Sequence, residues 1–387
     1  MNSSILLHSG TLPTGQSYLA LIAKRSYRIR PSARAVALQD HPPVVQTPLY
    51  VSSQNPHAEA RLVHDSDVFC VAKPFTDVVL RASAHSTRGS VVKLDTAVQI
   101  GALRRAVRVW GSRCIQAEAG GRWSFSPPEP FTVKPIVMDD AYGGRDVYAE
   151  KALLHAPTAL ARVLRPAPDD LPIVLTYPRN GAGRGYCIDV DPERVIGQRA
   201  PDLEDPSDPA TADRLCRRDA HDWLSAPSAS GYGPIDATTF PRAAFLLPLS
   251  FDTATGPIPE IAAGSISAED MRRPRDLGAP PDPRLFSCAA PGLGIQRLRG
   301  GERVTLVHLH PAHDRLEFDL PRHSPRMRIE PPNAGMHVLT PLLQTVLIEP
   351  DEDRVTLTWV GRLDVAAPFP DEMLQRMGHQ VGWESVQ

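Results

Sequence analysis

Forty prolines stand in a chain of 387 residues, roughly a tenth of all positions and about twice the usual share. Each one fixes φ and removes a backbone donor, so prolines this dense disfavour long helices and a continuous parallel sheet. Short strands joined by rigid turns accommodate them better. The expected fold class is therefore mainly β with a minor α+β character. It comprises antiparallel, sandwich- or barrel-like sheets, long proline-rich loops and a few short helices.

The pattern along the chain divides it into three segments. Residues 1–134 read as a β-rich domain. Tyr18–Ala23 and Ser26–Ile29 flank the pair Lys24–Arg25, and Asp67–Val71, Asp77–Ala82, Val91–Ile100 and Ala106–Val109 follow. Each is short, rich in β-branched residues and bounded by polar residues or turn formers. Residues 135–285 form a segment of loops and helices. Tyr148–Leu164 has helical spacing interrupted by Pro157, and Asp208–Leu224 offers Asp208 as a cap with Pro209 in the first turn. Residues 286–387 return to strands at Arg303–His308, Arg315–Leu320, Met327–Ile329, Gln344–Glu349 and Arg354–Trp359. The DED triplet at 351–353 reads as a hairpin loop, and a short final helix is expected with Asp371 as its cap.

Charge and cysteine content exclude several classes. The formal charge is −2 and the pI about 6.7, so no global basic field recruits nucleic acid or an anionic membrane. Thirty-seven of the 42 basic residues are arginines, whose forked donors suit ties to carboxylates and carbonyls. Five scattered cysteines without a CxxC pair form neither a disulfide framework nor a zinc site. Reduced thiols, no secretory leader at the N-terminus and no apolar run long enough for a bilayer place the expected compartment in the cytoplasm.

Three stretches invite a chemical reading. RNGAGRGY at 179–186 puts Gly181, Gly183 and Gly185 around Arg184. A phosphate loop needs a lysine and a following helix N-terminus, and CIDVDPE follows instead. Glycines that reach positive φ in a turn are the preferred reading. HLHPAHD carries His308, His310 and His313. On a strand the first two share a face, as a two-histidine metal site requires. However, Ala312 occupies the place of the Asp in HxHxDH, and Pro311 ends the strand. The DVD at 189–191 is a weak cation signal next to Pro192, and the acids Asp202, Glu204, Asp205 and Asp208 read as a solvated loop. No GxSxG elbow is present.

Several ordered stretches resemble a bacterial domain-of-unknown-function family encoded beside type VI secretion spike genes. They are LIAKRSYRI, KPFTDVVLRASAH, VRVWGSR, PEPFTVKPIVMDDAYGG, YPRNGAGRGY, APDLEDP, GYGPI, the block at 280–311 and FDLP. Gly181 after Asn180 and Asp140-Ala141-Tyr142 before the paired glycines depart from the usual pattern, as in a divergent member.

The resemblance implies a non-catalytic adaptor or chaperone. It would bind a type VI secretion effector, a toxin, and load it onto the VgrG spike, without cofactor, metal, nucleic acid or membrane. The structural or partner-binding candidates are the glycine and aromatic motifs: Tyr142, Gly143 and Gly144; Asn180, Gly183, Arg184 and Gly185; Gly231, Tyr232 and Gly233. The alternative is a metal- or phosphate-dependent enzyme built on His308, His310 and His313 or on the glycine-rich loop.

Overall fold

A computed structural model describes residues 3–12, 15–55, 58, 60–68, 71, 73–155, 176–177, 179–187, 191–216, 227–237, 239, 242 and 286–385. The fold is mainly β, as proline content and strand patterning require. The first large sheet runs in the order Ile5–Thr11, Ser17–Arg28, Arg354–Val365, Pro341–Glu349, Phe75–Leu80, Gly294–Gln296. Its neighbours are antiparallel except Pro341–Glu349 and Phe75–Leu80, which are parallel. The second sheet is antiparallel throughout, in the order Leu203–Glu204, Leu103–Trp110, Lys93–Ile100, Arg303–His310, His313–Asp319. A smaller sheet joins His337–Leu339, His323–Glu330 and Gly378–Ser385.

The strand Ser17–Arg28 explains how the sheets meet. Its side chains alternate faces. Leu19, Leu21, Ala23 and Tyr27 enter one core cluster together with Val98, Val107, Leu306 and Phe318 of the second sheet. The two sheets thus pack over a common interior in the manner of a sandwich. On the opposite face Tyr18, Ala20 and Ile22 pack against Val44 and Val71.

The expected break at Lys24–Arg25 does not occur. One strand runs through both residues, and Lys24 is buried because its ammonium lies 2.9 Å from Asp67 Oδ2 and 3.1 Å from His64 Nε2. The same contact corrects the expected strand at Asp67–Val71. Asp67 turns inward to accept from Lys24 and from the Val45 amide at 2.7 Å, and the segment carries no strand pairing at its described residues.

Strands from 1–134 and from 286–387 pair with one another in both large sheets, with Ser17 opposite Val365 in the first and Ile100 opposite Val304 in the second. The boundaries at 134 and 286 therefore mark changes of composition, and the terminal segments share one core. In between, a helix covers Val147–His155; residues 156–164 of the expected helix lie outside the described residues. At the second expected helix, Ala212–Leu215 is capped by Thr211, not Asp208. Asp208 instead holds Arg214 at 2.8 Å, and 217–224 lie outside the described residues. The final helix, Asp371–Arg376, begins at Asp371 after Pro370, without a side-chain cap. The DED triplet closes a hairpin through a 3-10 turn, Pro350–Glu352, and Asp353 at φ 51°. Among the described residues no helix is long and apolar enough to cross a membrane.

Candidate functional site

Two of the glycine motifs meet as adjacent strands. Tyr142–Gly143 pairs in parallel with Arg184–Gly185. Gly143 adopts φ 146° and Gly185 φ 89°, a region that disfavours any side chain. Gly183 is required by proximity, because a Cβ there would lie 2.6 Å from the Ala141 carbonyl oxygen. Asn180 ties the turn together. Its Nδ2 donates to Met138 O at 2.9 Å and Tyr142 O at 3.2 Å, while its own carbonyl accepts from the Gly144 amide at 2.8 Å. Asn55 Nδ2 donates to Gly183 O. Arg184 is the anchor: Nε donates to Asp139 O at 2.8 Å and Nη2 lies 2.5 Å from Asp140 Oδ1.

The third motif joins through Met138. A Cβ on Gly231 would meet Met138 Sδ at 2.6 Å, and Gly233 faces the same side chain. Between these glycines Tyr232 is fully buried. Its carbonyl accepts from the Leu80 amide at 3.0 Å in the first sheet, and its hydroxyl lies 3.0 Å from Thr96 Oγ1 in the second. The GYG turn therefore pins both sheets. Burial raises the phenols of Tyr142 and Tyr232, keeping both protonated and able to hydrogen bond. Tyr177 packs edge-on to Tyr142, with ring centroids 4.8 Å apart.

The acidic stretch after this site is not a solvated loop. Asp202 and Glu204 are buried. Lys134 and Arg199 reach Asp202 at 2.7 and 3.1 Å, and Trp110 Nε1 donates to Glu204 at 2.8 Å. Arg113 stands 3.6 Å from Glu204 and stacks on the Trp110 ring at 4.5 Å. A buried carboxylate persists only when it is paired and hydrogen bonded. The sequence signal was present in part: VRVWGSR supplies Arg108 and Arg113 for Glu204 of APDLEDP, though the two stretches are distant in the chain.

A cavity of about 220 Å³ adjoins Gly143, Gly144, Gly183 and Gly185. Its cations are engaged by the chain itself: Arg145 lies 2.7 Å from Glu150, and Arg199 pairs with Asp202. The amides of Gly144, Arg184 and Tyr186 donate to Asn180, Ala141 and Gly143. The loop thus directs these donors onto the chain, whereas a phosphate cradle aims them at a ligand.

The histidines also sit differently from the strand expectation. A bulge between Val307 and His310 places His308 at φ 53°, so His308 and His310 no longer share a strand face. His308 Nδ1 hydrogen bonds Asp95 O at 2.8 Å. His310 Nδ1 accepts from the Ala312 amide at 3.1 Å, which leaves Nε2 to donate to Asp353 at 3.0 Å. Its ring stacks on His313, with centroids 4.9 Å apart. Among the described residues no group of three or more His, Cys, Asp or Glu is placed to hold a metal ion. Residues 189 and 190 of the DVD lie outside the described residues.

Patterning missed one polar knot. Lys73 Nζ lies 2.5 Å from Asp77 Oδ2, all but out of solvent. Ser287 Oγ, the Cys288 amide at 2.9 Å and the Cys288 thiol at 3.3 Å also donate to that carboxylate. Burial alone would lower the Lys73 ammonium, but the Asp77 carboxylate overrides it and holds it up. Burial pushes the Cys288 thiol well above its ordinary range, so it remains a thiol.

These features define a two-sheet β scaffold in which three glycine motifs lock distant segments together. The chain belongs to the family described as "Uncharacterized protein conserved in bacteria (DUF2169)", whose profile matches residues 14–360. No curated protein and no solved structure matches it.

Proposed function

We propose that this chain is a non-catalytic binding protein, an adaptor or chaperone that holds a type VI secretion effector and loads it onto the VgrG spike. The ordered motifs from LIAKRSYRI to FDLP support the secretion context through their resemblance. The observation that carries the binding role is the hairpin Leu49–Ser52/Ala60–His64. Its outer strand presents Leu49, Tyr50 and Val51 with 47%, 47% and 41% of their surface exposed. Among the described residues that strand pairs on one side only.

Free strand edges bearing large apolar side chains associate with further strands, and proteins normally blunt them. An adaptor uses such an edge for strand addition, in which main-chain hydrogen bonds supply affinity and side-chain contacts supply choice. The glycine site then serves as the frame that keeps this surface rigid. The mechanism is affinity and shielding of an effector segment.

Co-expression with the products of neighbouring genes, followed by size-exclusion chromatography, tests this reading. A stable complex with an effector or a spike protein is expected. Separate elution from every neighbouring product would overturn it.

A further inference from the structure

A groove of about 810 Å³ lies on the outer face of the first sheet. At one end of that face Tyr18, Ala20 and Ile22 are covered by Val44 and Val71. At the other end the same strand face continues as Lys24, Ser26 and Arg28, which line the groove with Thr356 and Arg354 from the neighbouring strand. The segment around Val36–Val45 and the residues Leu49 and His64 also line it.

The charges in this groove are unevenly satisfied. Lys24 pairs with Asp67 at 2.9 Å, and Arg81 reaches Glu349 at 3.2 Å. Arg354 is held by Glu349 at 2.7 Å and Glu352 at 3.0 Å. Arg28 stands directly opposite Arg354 in the strand register, a like-charge pairing that opposes folding. Arg28 and Arg30 are exposed, and among the described residues neither has a carboxylate within ion-pair distance. Asp40 is the one carboxylate of the lining without an ion pair, and it is exposed. Two free guanidiniums thus face one free carboxylate.

The lining is also apolar: Val36, Leu38, Pro42, Pro43 and Leu49 contribute to it. Apolar walls suit the side chains of a peptide, whereas a nucleic acid backbone calls for a cationic track. Val36–Ala37 and Leu49–Ser52 each pair on one side only among the described residues, so extended chain can add to either.

We propose that this groove receives an extended segment of a partner protein in which carboxylates alternate with apolar side chains, the carboxylates seated on Arg28 and Arg30. The proposal rests on the binding-protein reading and names the chemistry of the segment that is bound. Guanidinium–carboxylate forks fix the register, and the apolar lining takes the intervening side chains.

The test uses the full chain and a short fluorescent peptide alternating valine with glutamate, with its valine–lysine counterpart and a single-stranded oligonucleotide as competitors, read by anisotropy. The glutamate peptide should bind about tenfold or more tightly than the lysine peptide. The double variant R28E/R30E should lose that preference, while R88E, at an exposed site elsewhere, should keep it. Equal binding of both peptides, retained preference in R28E/R30E, or stronger binding of the oligonucleotide would overturn the proposal. Thermal melts confirm that the surface variants fold. Wild-type co-elution of an effector with R28E/R30E would also overturn the groove assignment and leave the adaptor role standing. Peptide discrimination without any effector complex would support the groove and remove the adaptor role.

Discussion

Arg184 and Asp140 form a buried ion pair across the glycine site, with Nη2 2.5 Å from Oδ1 and both side chains under a tenth exposed. Burial raises the Asp140 carboxyl, and the Arg184 guanidinium opposes that rise. Removing the cation leaves an uncompensated buried carboxylate, which typically costs about 3–5 kcal/mol. Arg184→Met should therefore destabilise the protein by about 3 kcal/mol or more in urea unfolding, with the slope against denaturant unchanged. Asp140→Asn should cost less, because the raised carboxyl already carries a desolvation penalty that the amide avoids.

Gly183 predicts a different failure. A methyl group there would lie 2.6 Å from Ala141 O and 2.5 Å from Asn180 Nδ2, and the first of these is backbone that cannot swing aside. Gly183→Ala should cost about 3 kcal/mol or more, and Gly183→Val should prevent accumulation of soluble protein. Gly89, at φ 102° with open space around it, is a useful contrast. Gly89→Ala there incurs backbone strain alone, about 1–3 kcal/mol. Thermal melts of the two alanine variants decide the order.

Local chemistry made much of this legible. Strand patterning marked Val91–Ile100 and Arg303–His308, close to the observed Lys93–Ile100 and Arg303–His310, and the glycine spacing marked the turn that Asn180 and Arg184 secure. Contacts between remote segments were hidden. Ser26 Oγ meets Thr356 Oγ1 at 2.8 Å across 330 positions, and no local pattern encodes that register. Lys24 follows directly on the apolar run Tyr18–Ala23, and its partner Asp67 lies 43 positions away in a stretch that patterning reads as a strand of its own. The bulge at His308 was illegible for a related reason. A left-handed histidine is fixed by Asp95 on the neighbouring strand and not by its own neighbours in sequence. Burial of Asp202 and Glu204 likewise depends on remote cations, Lys134 for the first and Arg108 and Arg113 for the second, with Arg199 as a local contributor.

The knot at Lys73 and Asp77 predicts coupled energetics. Burial would raise Asp77, but Lys73, Ser287 and the Cys288 amide together hold it below its ordinary 3.8. A carboxylate depressed in the folded state contributes stability that is fully present above the unfolded value. That stability is lost as pH falls through the lower folded value. Lys73→Met should cost about 3–5 kcal/mol at neutral pH and reduce the loss of stability below pH 3.8. A cycle with Asp77→Asn should show that the two substitutions are not additive, with a coupling of about 1 kcal/mol or more. Additive costs would mean that the pair contributes nothing beyond its separate hydrogen bonds.

His64 gives the protein a dependence on mild acid. Burial lowers its imidazole below the ordinary 6.5, and the adjacent Lys24 ammonium lowers it further; Asp67 and the Asp65 backbone oppose, and Arg81 adds to the decrease. The folded state therefore binds fewer protons than the unfolded state between the folded value and 6.5. By linkage, stability is fully present above 6.5 and declines as pH falls through that window, levelling off below the folded value. His8, His41 and His323 are lowered chiefly by burial as well, so the decline is shared. His64→Gln should make the urea midpoint less sensitive to pH just below 6.5 without abolishing the trend. Because His64 lines the groove on the first sheet, its protonation adds positive charge beside Lys24. The glutamate peptide should then bind more tightly to the wild type as pH is lowered through the same window, and His64→Gln should show a smaller gain. An NMR titration of the His64 ring that places its midpoint at or above 6.5 would contradict both expectations.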